Sequence, residues 1–225
     1  DAAVVLQRIG LKHEQLDEKD LRTPHSAQNL FWTVIEEVSN DPDIGLHLGE
    51  KIPVFKGQVL EYLFLSSETF GEGLKRALSY QRLLSDAVNA TLEEDEIGLY
   101  VGNISFTGGF RHLTECVVIA VLKFFDYVTE GAFQPLEIHF EHAMGDNPQE
   151  YKRVFPCPVK FEQAGNRIYF TADSLNVASS HAEPELLKLH EQLANEHVAK
   201  LEKQDFIAKV NRLIGELLES GNANL

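Results

Sequence analysis

Few residues in this chain have types and spacing that suggest chemistry, and each such group falls short of a complete site. His139, Glu141 and His142 offer metal-ligand chemistry. Side chains alternate along a strand, however, so His139 shares a face with Glu141 while His142 points the other way. Zinc needs three or four converging ligands, so no metal is expected there. His112, Glu115 and Cys116 stand at i, i+3 and i+4, which is one face of a helix. They supply part of a coordination shell at most. Three readings stay open for them: a polar helix start first, then groups that join Arg111 in orienting a ligand within a mostly apolar pocket, and last a partial metal site. Ser66–Ser67 and Ser179–Ser180–His181 lack the G-x-S-x-G elbow of a serine nucleophile. Cys157, between Pro156 and Pro158, has no basic neighbour to lower its pKa. Neither a G-x-G-x-x-G turn nor a Walker A loop occurs. No catalytic residue and no cofactor is expected, and the chain does not read as an enzyme.

The composition narrows the partners. At 225 residues, with 44% apolar and 24% charged residues, the chain has the make-up of a globular protein with a sizeable core. Its net charge of −15 would repel nucleic-acid phosphates, so direct DNA contact by these residues is not expected. A cationic or neutral ligand, or a protein partner, remains open. No apolar run reaches the roughly 18 residues of a membrane span, and DAAVVLQRIG lacks the basic flank of a secretory signal. Two cysteines make no disulfide framework and point to a reducing, cytoplasmic compartment. The missing initiator Met raises the expectation that the chain begins inside a longer protein.

The elements that position these residues emerge from periodicity. Val4, Val5, Ile9 and Leu11 give a short helical stripe, and Thr23–Pro24 starts a second helix through Val38. Residues 42–49 read as a short helix closed by Gly49. Leu60, Leu63 and Phe64, then Leu74, Ala77, Leu78, Gln81 and Leu84, form two stripes of an αα-hairpin, with Thr69 and Glu72 spaced as a capping box. Alternating residues from Ala90 to Val101, broken by Glu93–Glu94–Asp95–Glu96, read as a hairpin of strands. Beyond the Gly108–Gly109 corner, residues 111–129 form a helix apolar on most of its circumference, hence buried on nearly all sides. A strand at 136–142, a short helix from Asn147–Pro148 to Phe155 and a second hairpin, Val159–Glu162 with Arg167–Thr171, come next. Two terminal helices, 184–202 and 205–219, close the chain. The fold class is α+β, a mainly antiparallel sheet packed by helices, with a helical N-terminal part and two C-terminal helices.

GLHLGE, then YLFLSSETFGEGLKRALSYQRLLSD, RHLTECVVIAVLKFF and PLEIHFEHAMGDNPQEYKRVFPCPVKFEQAGNRIYF together resemble the N-terminal effector-binding domain of AraC-type transcription regulators. The resembling group is the arabinose-binding-domain-like branch, of the ornithine-utilisation-regulator type. Their order and spacing cover nearly the whole chain. The cupin-like barrel of other AraC-type domains does not carry over, because too few strands are present.

The resemblance implies a small-molecule effector, and a sensor must enclose a cavity. The expected place is the seam between the αα-hairpin, the first strand pair and the buried helix, with Phe64, Tyr80, Leu84, Phe106, Arg111, His112, Glu115, Ile119 and Phe140 as candidate ligand contacts. Leu186, Leu189, Leu193, His197 and Leu201 lie along the first terminal helix, as a homodimer contact or as packing on its own domain. Residues 1–203 are the expected effector-binding and dimerisation domain. Residues 204–225 are the linker or first helix of a truncated helix-turn-helix domain, through which alone DNA would be bound. The rival readings are a stand-alone domain for a lipid or aromatic compound, decided by the gene product's sequence beyond Leu225, and a metal- or haem-linked sensor using His112 or His139.

Overall fold

Short helices build the first half of the chain, because its apolar residues recur at three and four positions. They are α1 (Ala2–Arg8), α2 (His25–Ser39), α3 (Ile44–Lys51), α4 (Val59–Ser66) and α5 (Phe70–Ser79). The computed structural model describes residues 2–17, 25–85, 88–104 and 110–219. Thr23–Pro24 and Gly108–Gly109 lie outside the described residues. The αα-hairpin of α4 and α5 turns at Thr69, whose side-chain oxygen accepts the Glu72 N–H at 3.3 Å and so satisfies one orphan donor of the helix start.

Strands β1 (Thr91–Glu94) and β2 (Leu99–Gly102) pair as the expected hairpin, followed by α6 (Arg111–Val128), β3 (Pro135–His139), α7 (Pro148–Val154), β4 (Val159–Lys160) and β5 (Arg167–Phe170). The sheet order is β1-β2-β5-β3-β4, antiparallel except for the parallel pair β3–β4. The second hairpin read from the sequence is therefore corrected: β3 lies between β4 and β5. Helix α7 crosses over from β3 to β4, and the Ile138 N–H donates to the Pro158 carbonyl at 2.9 Å, so β4 returns alongside β3 rather than folding onto β5.

One sheet face carries Val101, Ile138, Ile168 and Phe170 into the main core. There Phe64, Phe70, Phe125 and Phe133 pack edge-on and tilted, with ring centroids 5.0 Å apart for Phe70–Phe125 and 5.1 Å for Phe125–Phe133. The other face is a polar ladder. Tyr100 and Tyr169 meet at 5.0 Å, the Tyr169 hydroxyl donates to Asp95 at 2.7 Å, and His139 pairs with Glu137 at 2.5 Å. The His139 partner is thus a strand neighbour two positions away, while His142 stacks on Phe140 at 4.7 Å. Among the described residues no group of His, Cys, Asp or Glu converges as a metal site would.

Helix α3 lies against α6 through Gly45 and Gly49. A methyl on Gly45 would sit 2.4 Å from the His112 Cα, and one on Gly49 would sit 2.8 Å from Ile119 Cδ1. Gly49 therefore does not close the helix, as its sequence position suggests, but lies inside it, where the missing side chain lets two backbones approach. Helix α8 (Pro184–Glu219) is one unbroken 36-residue helix, about 54 Å long at 1.5 Å per residue. That corrects the division into two terminal helices: Glu202, Lys203 and Gln204 are good helix formers, and no glycine or proline interrupts them. Among the described residues no helix is long and apolar enough to cross a membrane.

Candidate functional site: an apolar cavity beside the long terminal helix

One face of α6 is built from small and mid-sized side chains. Leu113, Cys116, Val117, Ala120, Val121 and Phe124 succeed one another at steps of three, one, three, one and three, so they stack along a single stripe. With α4 and α5 held off by the rings of Phe64 and Phe124, which meet edge-on at 5.1 Å, this stripe faces a cavity of about 440 Å3. That volume lies in the range of small-molecule sites. Leu60, Glu61 and Phe64 of α4 form one wall, and Leu74, Ala77, Leu78, Gln81, Leu84 and Ser85 another. Val88, Ala90, Val101, Asn103 and Ile104 close the strand side, and Gln28, Ile52, Phe55 and Gln58 stand near the α2 and α3 ends.

The polar groups of this lining are mostly engaged. Gln81 clasps the backbone of Ala90: its Oε1 accepts the Ala90 N–H at 2.7 Å and its Nε2 donates to the Ala90 carbonyl at 3.2 Å. The clasp ties the end of the αα-hairpin to the start of the sheet. Burial pushes the Cys116 thiol up to about 11, so it stays protonated at neutral pH. Glu61 is 4% exposed. It accepts the Tyr127 hydroxyl at 2.7 Å on one oxygen and the Gly57 N–H on the other. Its carboxylate and burial push the Tyr127 phenol up to about 12, keeping Tyr127 a donor.

Of the ligand contacts nominated from the sequence, Phe64 and Leu84 line this cavity. Phe106 lies outside the described residues. Tyr80 sits at the α8 seam, donating to Asn195 at 3.1 Å. Ile119 faces α3, and Phe140 is fully buried beside Phe155 at 5.7 Å. Arg111, His112 and Glu115 come together, but at the junction of α3, α6 and α7. There Tyr151 donates to the fully buried Glu115, and Arg111 lies 3.8 Å from the same carboxylate and donates to the Pro42 carbonyl. His112 reaches Glu36 at 3.4 Å, and its Nδ1 and the Glu115 Oε2 have no hydrogen-bond partner. Sequence reasoning missed the α6 stripe and Glu61. The signals were present: small residues (Cys116, Ala120) on an otherwise bulky helix, and a lone acid among Leu60, Leu63 and Phe64.

A second cleft of about 770 Å3 runs under α8. Leu193, His197, Lys200, Leu201 and Gln204 line it from α8, facing Val59, Tyr62 and Leu83. Phe55, Gln58, Leu60 and Leu84 line both this cleft and the cavity. Helix α8 is tied down alongside: His190 stacks on Tyr62 at 5.1 Å and meets the Ser66 hydroxyl at 3.0 Å, and Arg76 donates to Glu191 at 2.9 Å. Leu193, His197 and Leu201 thus face their own domain, whereas Leu186 and Leu189 are turned to solvent.

Residues 1–178 match the model of the arabinose-binding domain found N-terminally in AraC transcription regulators. The chain is 22% identical over 208 residues to the ornithine utilization regulator of Pseudomonas aeruginosa, a match that takes in 91% of this chain and 61% of that protein. The crystal structure of the transcriptional regulator CdpR from Pseudomonas aeruginosa superimposes with a TM-score of 0.59 at 16% identity, covering 82% of this chain and 60% of that one. The latter likeness is one of fold. The chain spans about three fifths of the length of either protein. The names of both are those of transcription regulators rather than enzymes.

Proposed function

The chain belongs to the family of N-terminal arabinose-binding domains of AraC transcription regulators, a ligand-sensing regulatory domain, and from that premise we propose that it binds its effector in the 440 Å3 cavity and passes the event to α8. The observation that carries this reading is the shared wall. Phe55, Gln58, Leu60 and Leu84 touch the cavity on one side and the α8 cleft on the other, so a guest that moves them alters the bed on which α8 lies. An effector acts only if it prefers one arrangement of that bed over the other.

The proposed division between a sensing part, 1–203, and a connecting part, 204–225, falls inside α8. Asp205, paired with Arg82, is the last α8 residue tied to the body by an ion pair among the described residues. Beyond it Phe206 is 68% exposed, and Ile207, Leu213 and Ile214 are also turned to solvent. An isolated helix of such length is marginal in water, which supports a homodimer contact or a following domain along this stretch. A net charge of −15 opposes phosphate contact by these residues, which supports assigning DNA binding to a separate helix-turn-helix part.

Two measurements test the proposal. A thermal-shift screen of small molecules should find compounds that stabilise the chain, because a ligand for the native state raises its apparent stability. A gel-shift assay with this chain alone should show no sequence-specific DNA binding. A chain that no compound stabilises, or one that binds operator DNA by itself, contradicts the reading.

A further inference from the structure

From the one charged group in the cavity we infer that the effector is an organic cation: an ammonium or amidinium head on an apolar body, with the head seated against Glu61. This rests on the cavity being the effector site. Among the described lining residues Glu61 is the sole ionisable acid or base besides the protonated Cys116 thiol. Glu61 is 4% exposed, and among the described residues no Lys, Arg or His forms an ion pair with it.

The neighbouring cations are occupied elsewhere. Lys123 donates to the carbonyls of Gly49 and Glu50 at the end of α3, and Lys56 lies over the Tyr127 ring at 4.5 Å. Each Glu61 oxygen takes one hydrogen bond, from Tyr127 or from Gly57. A carboxylate oxygen accepts two, so each has capacity left. A buried carboxylate without a counter-ion is costly, and the cost falls when a paired charge arrives. A guest ammonium supplies that charge and the missing hydrogen bonds together. A guest carboxylate would meet a like charge and find no cation in the lining.

The test uses the 225-residue chain and matched probes that differ only in the head: hexylamine, 1-hexanol and heptanoate, then phenethylamine, 2-phenylethanol and 3-phenylpropanoate. Affinity is read by calorimetry at neutral pH. In each set the amine should bind at least about tenfold tighter than the alcohol, with the acid weakest, the scale of a hydrogen bond to a charged group. Glu61→Gln should erase the amine's advantage and leave alcohol binding in place. Tyr127→Phe, which leaves the carboxylate, should keep it. The head-group order in the unaltered chain needs no variant to fold. Ala120→Leu, which narrows the cavity, should weaken binding of every probe strongly. If alcohol or acid binds as tightly as the amine at a site that Ala120→Leu weakens, or if Glu61→Gln keeps the preference, the cation inference fails and the cavity stands. Amine binding that Ala120→Leu leaves undiminished belongs to the acidic surface and also overturns the inference. If no head on either body binds, the effector-site reading fails with it.

Discussion

Filling the cavity from α6 separates a binding site from a packing fault. Ala120 is buried on the cavity stripe between Cys116, Val117, Val121 and Phe124. Leucine there adds three carbons. Burying them in empty apolar space would return up to about 2.4 kcal/mol at about 0.8 kcal/mol per CH2, against about 1–3 kcal/mol for crowding. The two nearly cancel, so the ligand-free Tm should move by no more than about 2–4 °C, the shift that about 1 kcal/mol gives at this chain length. The effect on ligand response is much larger. A compound at 100 times its Kd stabilises the native state by about 2.7 kcal/mol, or about 5–10 °C here. If leucine weakens binding about 100-fold, the same concentration equals Kd and the gain drops to about 0.4 kcal/mol, near 1 °C. Scanning fluorimetry of the unaltered chain and Ala120→Leu, with and without the most stabilising compound, measures this. Ile119→Val is the control on the opposite face, against Gly49. It should cost about 0.5–1.5 kcal/mol and keep the full ligand shift. An undiminished shift in Ala120→Leu, or an equal loss in Ile119→Val, would refute the placement of the site.

Gly45→Ala places a methyl 2.4 Å from the His112 Cα, where only backbone can yield. It should destabilise by about 1–3 kcal/mol, outweighing the roughly 0.5–1 kcal/mol gain in helix propensity; chemical denaturation reads the difference, and a variant as stable as the parent would contradict the close α3–α6 contact. His47 bridges Asp41 at 2.6 Å and Glu150 at 3.1 Å, and the Asp41 hydrogen bond chiefly, with that to Glu150, raises its pKa against the opposing pull of burial. A raised folded-state pKa gives stability that is fully present below the ordinary value near 6.5 and lost as pH rises through the raised one. The Tm gap between the parent and His47→Gln should therefore be wide at about pH 5.5 and narrow by about pH 8.5; a constant gap would mean that the charge contributes nothing. Replacing Phe206 and Ile214 by serine leaves the α8 contacts to the body untouched, and sedimentation should find the pair-substituted chain monomeric at concentrations where the parent associates. Equal sedimentation would remove that half of α8 from any dimer contact.

Much of this arrangement is legible in the sequence, and the remainder is hidden for physical reasons. The stripes of α4 and α5, the Thr69 cap and the β1–β2 hairpin arise from local periodicity and turn chemistry, which act within a few residues. The partner of β4 does not. A two-residue strand has no alternation to set its register, and the crossover through α7 decides the pairing. Helix α6 is harder for the opposite reason. When apolar residues surround a helix, the pattern carries no phase, so Ile119 and Ala120 look equally inward although one meets Gly49 and the other the cavity. His112 and Glu115 stand out as polar residues on that helix, but they face the glycine seam of α3 rather than the cavity. Residue size was the better guide: Cys116 and Ala120 leave room, and room is where a guest fits.

The two faces of α6 also decide which way a signal can travel. On one side α3 is held at backbone contact by Gly45 and Gly49, and Lys123 caps its end through the Gly49 and Glu50 carbonyls. Glu115 is wedged beneath Tyr151 of α7. Close-packed backbone has no second arrangement near in energy, so that side is a fixed reference. On the other side the cavity is bounded by α4, by the end of α5 and by the half-exposed Leu84 and Phe55. There α8 rests on the α4–α5 hairpin through the buried Ala194, packed with Val59, Leu60 and Leu63, through the ties of His190 and Glu191, and over a cleft that is not filled. Strain introduced by a guest is relieved where packing is loosest. Under the proposed function, a ligand seated between these two sides would push against the fixed α6–α3 side and act on α4, Leu84 and the cleft beneath α8, which would make the long terminal helix the output.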